Sequence, residues 1–143
     1  MVPFRVAFQS GVPVHEQVVF AAKKAIISGK LQPGEAFPSV RVLSKAAKIH
    51  ANTAQKVITQ LQQEGLLEVR PGIGTVVAQL RAPARLERTR LLARDVEALI
   101  VEAIKLGAGL DEMQELLAIQ WRKLQPEKTQ DDHDCSYPHR TAR

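Results

Sequence analysis

Apolar residues recur at helical spacing in five stretches of this chain, and between the third and fourth the period shortens to that of strands. Val14, Val18, Ala22 and Ala25/Ile26 predict an amphipathic helix from Val14 to Gly29, with Phe20 off its apolar stripe. Leu31-Gln32-Pro33-Gly34-Glu35 predicts a turn, because Pro fixes φ at one position and Gly relaxes it at the next. Ser39, directly after Pro38, is a good N-cap for a second helix running to about Lys48, with Leu43, Ala46 and Ala47 expected to face inward. After a tight turn through Ile49, a third helix is expected from about Ala51 to Glu64. Its core face is Ala54, Val57, Ile58 and Leu61, the i, i+3, i+4, i+7 pattern, and Gly65 is placed to stop it.

Leu66 to Arg70 and Thr75 to Val77 are short β-prone runs flanking Pro71-Gly72-Ile73-Gly74, which predicts a hairpin with a glycine-rich tip. Two short helices joined by a tight turn and followed by a hairpin make a winged helix-turn-helix. Ala78 to Ala84, with Pro83 inside, reads as a linker. Beyond it, Leu92, Val96, Leu99, Ala103 and Leu106 continue from Thr89 at alternating spacings of three and four, and Ile100 and Ile104 widen the apolar face. Gly107-Ala108-Gly109 breaks this helix. A last one is expected near Asp111, capped by an Asp111–Gln114 box and using Met113, Leu116, Leu117, Trp121 and Leu124.

Two helices cannot enclose so many apolar residues. They either fold back on the first domain or cover a second copy of the chain, and the size of the seam points to the copy, with Leu117 and Trp121 joining Leu92, Val96, Leu99, Ala103 and Leu106. The expected fold class is mainly α with a small β-hairpin wing. The expected division is a winged domain over 1–78, a linker over 79–84, a two-helix dimerisation segment over 85–124 and a disordered tail over 125–143.

Length and charge sharpen this picture. The 143 residues exclude a large catalytic barrel or doubly wound sheet. No apolar run approaches the roughly 20 residues that span a bilayer, and the N-terminus lacks signal-peptide regions, so a cytoplasmic protein without a membrane partner is expected, nucleoid-associated if it binds DNA. A lone cysteine, Cys135, rules out an internal disulfide. The net charge is +5, and residues 1–80 carry nine Lys/Arg against four Asp/Glu, while residues 81–143 carry eleven of each. That asymmetry suits a polyanion-binding domain joined to a neutral partner domain. Asp131, Asp132, His133, Asp134, Cys135 and His139 are metal-ligand types, but their spacing matches no established site, so neither metal nor cofactor is expected.

Val12-Pro13-Val14-His15-Glu16-Gln17, Gly29 through Arg41, Asn52-Thr53, Gly65-Leu66-Leu67 and Val69 through Val77 together resemble the GntR family of bacterial regulators across residues 11 to 78. The short two-helix C-terminal part is similar to the YtrA-like subfamily. The resemblance implies a non-enzymatic transcriptional repressor that binds an inverted-repeat operator in double-stranded DNA as a homodimer, with an unknown small-molecule effector as a further partner. In such a fold the third helix enters the major groove. Asn52, Gln55 and Lys56 then project opposite the core stripe toward base edges, where amide side chains match adenine and Lys donates to guanine or phosphate.

Ser39 and Arg41 resemble the family's phosphate-clamping Ser-x-Arg, and Thr53 is placed to donate to phosphate. At the wing, Gly72 and Gly74 let backbone approach the minor groove, flanked by Arg70 and Thr75. Two positions depart from the family pattern. His50 stands where Asn or Ser usually caps the third helix, and Ala51 where several relatives have Arg or Pro, so the operator is expected to differ from theirs. The competing expectations are a winged-helix module that binds protein or RNA without DNA readout, and a small enzyme or metal protein built on the tail.

Overall fold

The computed structural model describes residues 2–125. The expected disordered tail and its metal-ligand residue types, from residue 126 on, lie outside the described residues. The described chain runs α1 (Val14–Ile27), α2 (Val40–Ala47), α3 (Ala51–Gln63), β1 (Leu67–Arg70), β2 (Gly74–Val77), α4 (Arg85–Lys105) and α5 (Leu110–Leu124). It is a mainly helical fold with one antiparallel hairpin.

A single apolar cluster holds the first three helices and the base of the hairpin together. From α1 it takes Val18, Val19, Ala22, Ala25 and Ile26, from α2 Leu43, from α3 Ala54, Val57, Ile58 and Leu61, and from the hairpin Leu67 and Val77. Burying a side chain of Val or Leu size contributes roughly 1.5–3 kcal/mol, so the α3 stripe alone strongly selects its own orientation. The stripe ends where the helix must end. Gly65 adopts φ 76°, a left-handed conformation that costs a residue with a Cβ about 1–2 kcal/mol, and the Leu66 amide donates to the Leu61 carbonyl at 2.9 Å. Leu61 and Leu66 are both buried, as the hydrophobic contact of this helix stop requires.

The α2 face differs from expectation. Val40, Leu43 and Ala47 share one side of this eight-residue helix, Leu43 fully buried and the other two half-buried, while Ala46 is exposed on the flank. With one deep anchor against α3, the short helix turns its i, i+3, i+7 row inward, and position 46 falls outside that row.

The stretch predicted as a plain turn does more than turn. Ala36 bridges to Val76, the Gly34 amide donates to the Val77 carbonyl at 2.8 Å, and the Phe37 amide donates to the Thr75 carbonyl at 2.9 Å. The loop thus covers the free edge of β2. Phe37 is buried and stacks with Phe4, ring centroids 6.3 Å apart. Phe4 belongs to an extended N-terminal segment whose Val2, Phe4 and Val6 alternate inward against the core. Gln17 pins that segment: its Oε1 accepts from the Gln9 amide at 2.8 Å, and its Nε2 donates to the Gln9 and Val12 carbonyls at 3.0 and 2.9 Å.

α4 and α5 contrast sharply with this core. Ala103 is their only buried residue among those described, whereas Leu92, Val96, Leu99, Leu106, Leu117 and Trp121 are exposed, Trp121 at 70% and Leu106 at 78%. The expected seam is present as a helical face and faces solvent, so the apolar surface is not consumed by folding back on the first domain. The expected Asp111–Gln114 capping box does not form. α5 begins at Leu110 with Gly109 as N-cap and no side-chain cap bond, two positions too early for Asp111 to cap. Asp111 and Glu112 instead sit in the first turn, favourable for the helix dipole. No helix among the described residues is long and apolar enough to cross a membrane.

Lys23 of α1 and Glu64 at the end of α3 form an ion pair that ties the two helices together outside the core. Burial acts upward on the Glu64 carboxyl, but hydrogen bonds from Lys23 and Gln60, with the Lys23 charge, hold it below its ordinary value. A depressed carboxylate stabilises the fold above its unfolded pKa, and the contribution vanishes as pH falls through the folded value. Both groups are partly exposed, so the effect is below about 1 kcal/mol. Urea midpoints measured across acidic pH should therefore show Lys23→Ala less stable than the native chain at neutral pH, with the two converging as the solution is acidified below the Glu64 titration.

Candidate nucleic-acid interface

The α2–α3 turn is the local feature that sets the angle of the third helix. Lys48 caps α2 in the left-handed region at φ 53°, the one described residue other than glycine with positive φ. The Ser44 hydroxyl donates to the Ile49 carbonyl at 2.6 Å, and the Ile49 amide donates to the Ser44 carbonyl at 3.1 Å. These two bonds close a turn of minimal length, so α3 leaves at a fixed angle to α2.

Seen from that turn, α3 has two unlike faces. Ala54, Val57, Ile58 and Leu61 are buried against α1 and α2. Ala51, Asn52, Gln55 and Lys56 are exposed, and Thr53 is half-buried between the two faces. The Gln55 Nε2 donates to the Thr59 Oγ1 at 3.2 Å, one helical turn on, which restrains the amide without using its carbonyl oxygen. His50 is the N-cap of α3, exposed and without a side-chain cap bond. The first amides of α3 are thus left without a side-chain acceptor, carrying the positive end of the helix dipole.

At the start of α2 the Ser39 side chain accepts from the Val42 amide at 3.3 Å, the capping geometry its sequence position predicts. Arg41 is exposed in the first turn of the same helix. On the hairpin, Leu67 pairs with Val77, Val69 with Thr75 and Arg70 with Gly74, leaving Gly72 at the exposed tip with φ 78°. Gly74 is exposed, and Thr75 is half-buried with its carbonyl occupied by Phe37. Arg70 is less free than expected, because its Nε and Nη2 lie 2.9 and 2.8 Å from the Glu68 carboxylate.

The charge pattern of these elements is one-sided. Residues 36–63, which include α2, the turn and all of α3, contain no Asp or Glu, yet carry Arg41, Lys45, Lys48 and Lys56. Neither helix has an acidic residue in its first turn, where one would ordinarily favour the dipole. A run of 28 residues free of carboxylates was readable in the chain; what the fold adds is that both helix starts lie within it, on two helices that share one core. His15, in the first turn of α1, also joins the face, lining a shallow depression with Gln55, Lys56 and Thr59. No local sequence signal marked it, since α1–α3 packing brings it there.

Residues 15–77 match the profile described as "Bacterial regulatory proteins, gntR family". This domain is similar to the GntR family. It is 28% identical over 108 residues to the HTH-type transcriptional repressor YtrA of Bacillus subtilis, covering 75% of this chain and 83% of that protein. It is also 28% identical to the uncharacterized HTH-type transcriptional regulator YhcF of the same organism, over 76% of this chain and 89% of the relative. Among solved structures, a transcriptional antiterminator from Listeria monocytogenes EGD-e has the same fold, with a TM-score of 0.73 at 23% identity over 85% of this chain and 91% of that one. Residues 15–77 are less than half of the chain, and the shared fold extends beyond them into the C-terminal helices. The relatives named here are transcription regulators, not enzymes.

The left-handed Lys48 yields a direct test of the turn. Lys48→Gly should raise stability by about 0.5–1 kcal/mol, the relief of Cβ strain being partly offset by the greater freedom of glycine in the unfolded chain. Thermal unfolding should detect this as a rise of a few degrees, with circular dichroism unchanged.

Proposed function

We propose that this chain is a sequence-specific DNA-binding transcriptional repressor that acts as a homodimer on an inverted-repeat operator, in the cytoplasm. The observation that carries this is the carboxylate-free pair of helix starts, with polar, exposed Asn52 and Gln55 standing opposite the buried stripe of α3. A duplex presents phosphates at its rim and base edges within its groove, so it requires cations around a polar helix end. In this reading Gln55 and Asn52 read bases, with Lys56 donating to guanine or phosphate. Ser39, Arg41, Thr53, the α3 amides and His50 hold phosphates, and Ala51 leaves room without a base contact. Gly72 and Gly74 bring the hairpin to the groove edge, and Arg70 would exchange its Glu68 partner for phosphate, beside Thr75.

The dimer follows from the apolar face of α4 and α5. Leu92, Val96, Leu99 and Leu106, with Leu117 and Trp121 on α5, form the exposed face of the segment over 85–124 that a second copy would cover, joined through residues 79–84 to the reading domain over 1–78; Ala103, expected in this seam, is already buried within the chain and drops out of it. Two-fold pairing duplicates the α3 helix and so calls for two related half-sites. YtrA is named a repressor, which supports that sign of regulation here.

Selection from a random duplex library is the deciding experiment. It should return a palindromic site whose affinity falls steeply with salt. Recovery of no preferred duplex, or tighter binding to RNA or protein than to any duplex, would overturn the reading. Arg41→Ala should weaken binding to all duplexes and lower the salt slope by about 1, whereas Gln55→Ala should cost about 1–3 kcal/mol at one operator position and relax preference there. Val96→Asp places a charge in the seam, and should give a monomer in sedimentation with operator affinity reduced at least about tenfold.

A further inference from the structure

On the side of α1 that turns away from α3, the chain forms an open groove of about 1190 Å³. One wall is the N-terminal segment pinned by Gln17, the floor is the outer face of α1 around Phe20 and Ala21, and the far wall is the end of α5 at Gln120, Lys123 and Leu124. α1 buries Val18, Val19, Ala22, Ala25 and Ile26 in the core, so Phe20 and Lys24 lie on the reverse of the helix that supports α3. The groove is therefore away from the expected DNA face.

Its chemistry is two-part. Phe20, 63% exposed, presents an aromatic surface, and Val6, Val12 and Leu124 extend it with aliphatic side chains. Among the described residues the rim is cationic, with Arg5, Lys24, Lys30 and Lys123 against one carboxylate, Glu16. None of these four cations is in an ion pair among the described residues, and the Lys24 Nζ stands 5.8 Å from the centre of the Phe20 ring. A bound molecule that completes this surface needs an apolar body to cover the Phe20 floor and an anionic head to meet the rim. A second protomer is a poorer match, since the seam suited to it is the α4 face, and this rim would attract only a strongly acidic segment.

The geometry points to a ligand site for a small amphipathic anion, an apolar body with one carboxylate or phosphate head, held between the DNA-reading domain and the end of the dimerisation segment. A ligand that touches both walls favours one placement of α5 relative to α1, and in a dimer that placement sets how the two α3 helices are spaced. The regulatory meaning rests on the DNA-binding reading; occupancy of the groove does not.

Calorimetric titration of the full-length chain with decanoate, below its micelle concentration and without DNA, tests the site. Decanoate should bind saturably at one site per protomer with a Kd of about 1 mM or tighter, while acetate and decyltrimethylammonium, lacking the body and the negative charge respectively, should not. The double variant Lys24→Glu/Lys123→Glu should bind decanoate about tenfold more weakly or worse, with an unchanged melting curve. Equal binding of the cationic probe, undiminished binding by the double variant, or loss of dimer in that variant's sedimentation would each overturn the site, the last by showing the groove to be a protein interface. Because no duplex is present, failure here leaves the operator reading standing. Absence of operator preference would equally leave a positive titration intact.

Discussion

The burial of Ala54, Val57, Ile58 and Leu61 is the constraint on which the rest of the structure depends. A helix can turn only one side to a core, and once these four face α1 and α2, Asn52, Gln55 and Lys56 have no choice but solvent. The rotation of α3 about its axis is thus decided by apolar area, and the exposed polar face follows as its complement. The Lys48 and Ser44 turn then restricts the remaining freedom, the angle between α2 and α3.

Charge follows the same division of labour. The four carboxylates of the first domain sit at the edges: Glu16 in the first turn of α1, Glu35 before α2, Glu64 at the far end of α3 where Lys23 takes it up, and Glu68 on the hairpin beside Arg70. Between Glu35 and Glu64, the elements of the candidate interface carry only cations among their charged residues. α4 and α5 follow the opposite rule, a balanced charge around an apolar stripe that the chain by itself leaves open. One half thus concentrates cations and the other leaves an apolar stripe exposed, and the groove beside Phe20 is lined by residues of both.

Much of this was legible because periodic patterns report directly on which face is dry. The α3 stripe, the Gly65 stop, the Ser39 cap and the hairpin strands appear within a residue or two of where spacing and turn chemistry predict them. The departures have a common cause. Ala46 carries too little apolar area to mark a face, so its exposure depended on how Leu43 docked. The Asp111 box failed because a helix can begin at any nearby residue whose φ and ψ allow, and Gly109 allowed it first. The Ala36 bridge and the seating of Phe4 on Phe37 join positions far apart in the chain, and no local pattern encodes such a pairing.

The amino-acid sequence by itself determined the order of elements, the dry face of each long helix, the family resemblance and the concentration of positive charge in the first half, since each depends on residue type and short-range spacing. The tertiary structure alone decided which distant residues meet: His15 beside Gln55, Lys23 on Glu64, Glu68 restraining Arg70 on the folded wing, and the N-terminal segment facing the end of α5 across Phe20. The physical reason is that local periodicity determines how a helix is oriented about its own axis, whereas the neighbours it acquires depend on how several such faces pack against one another at once.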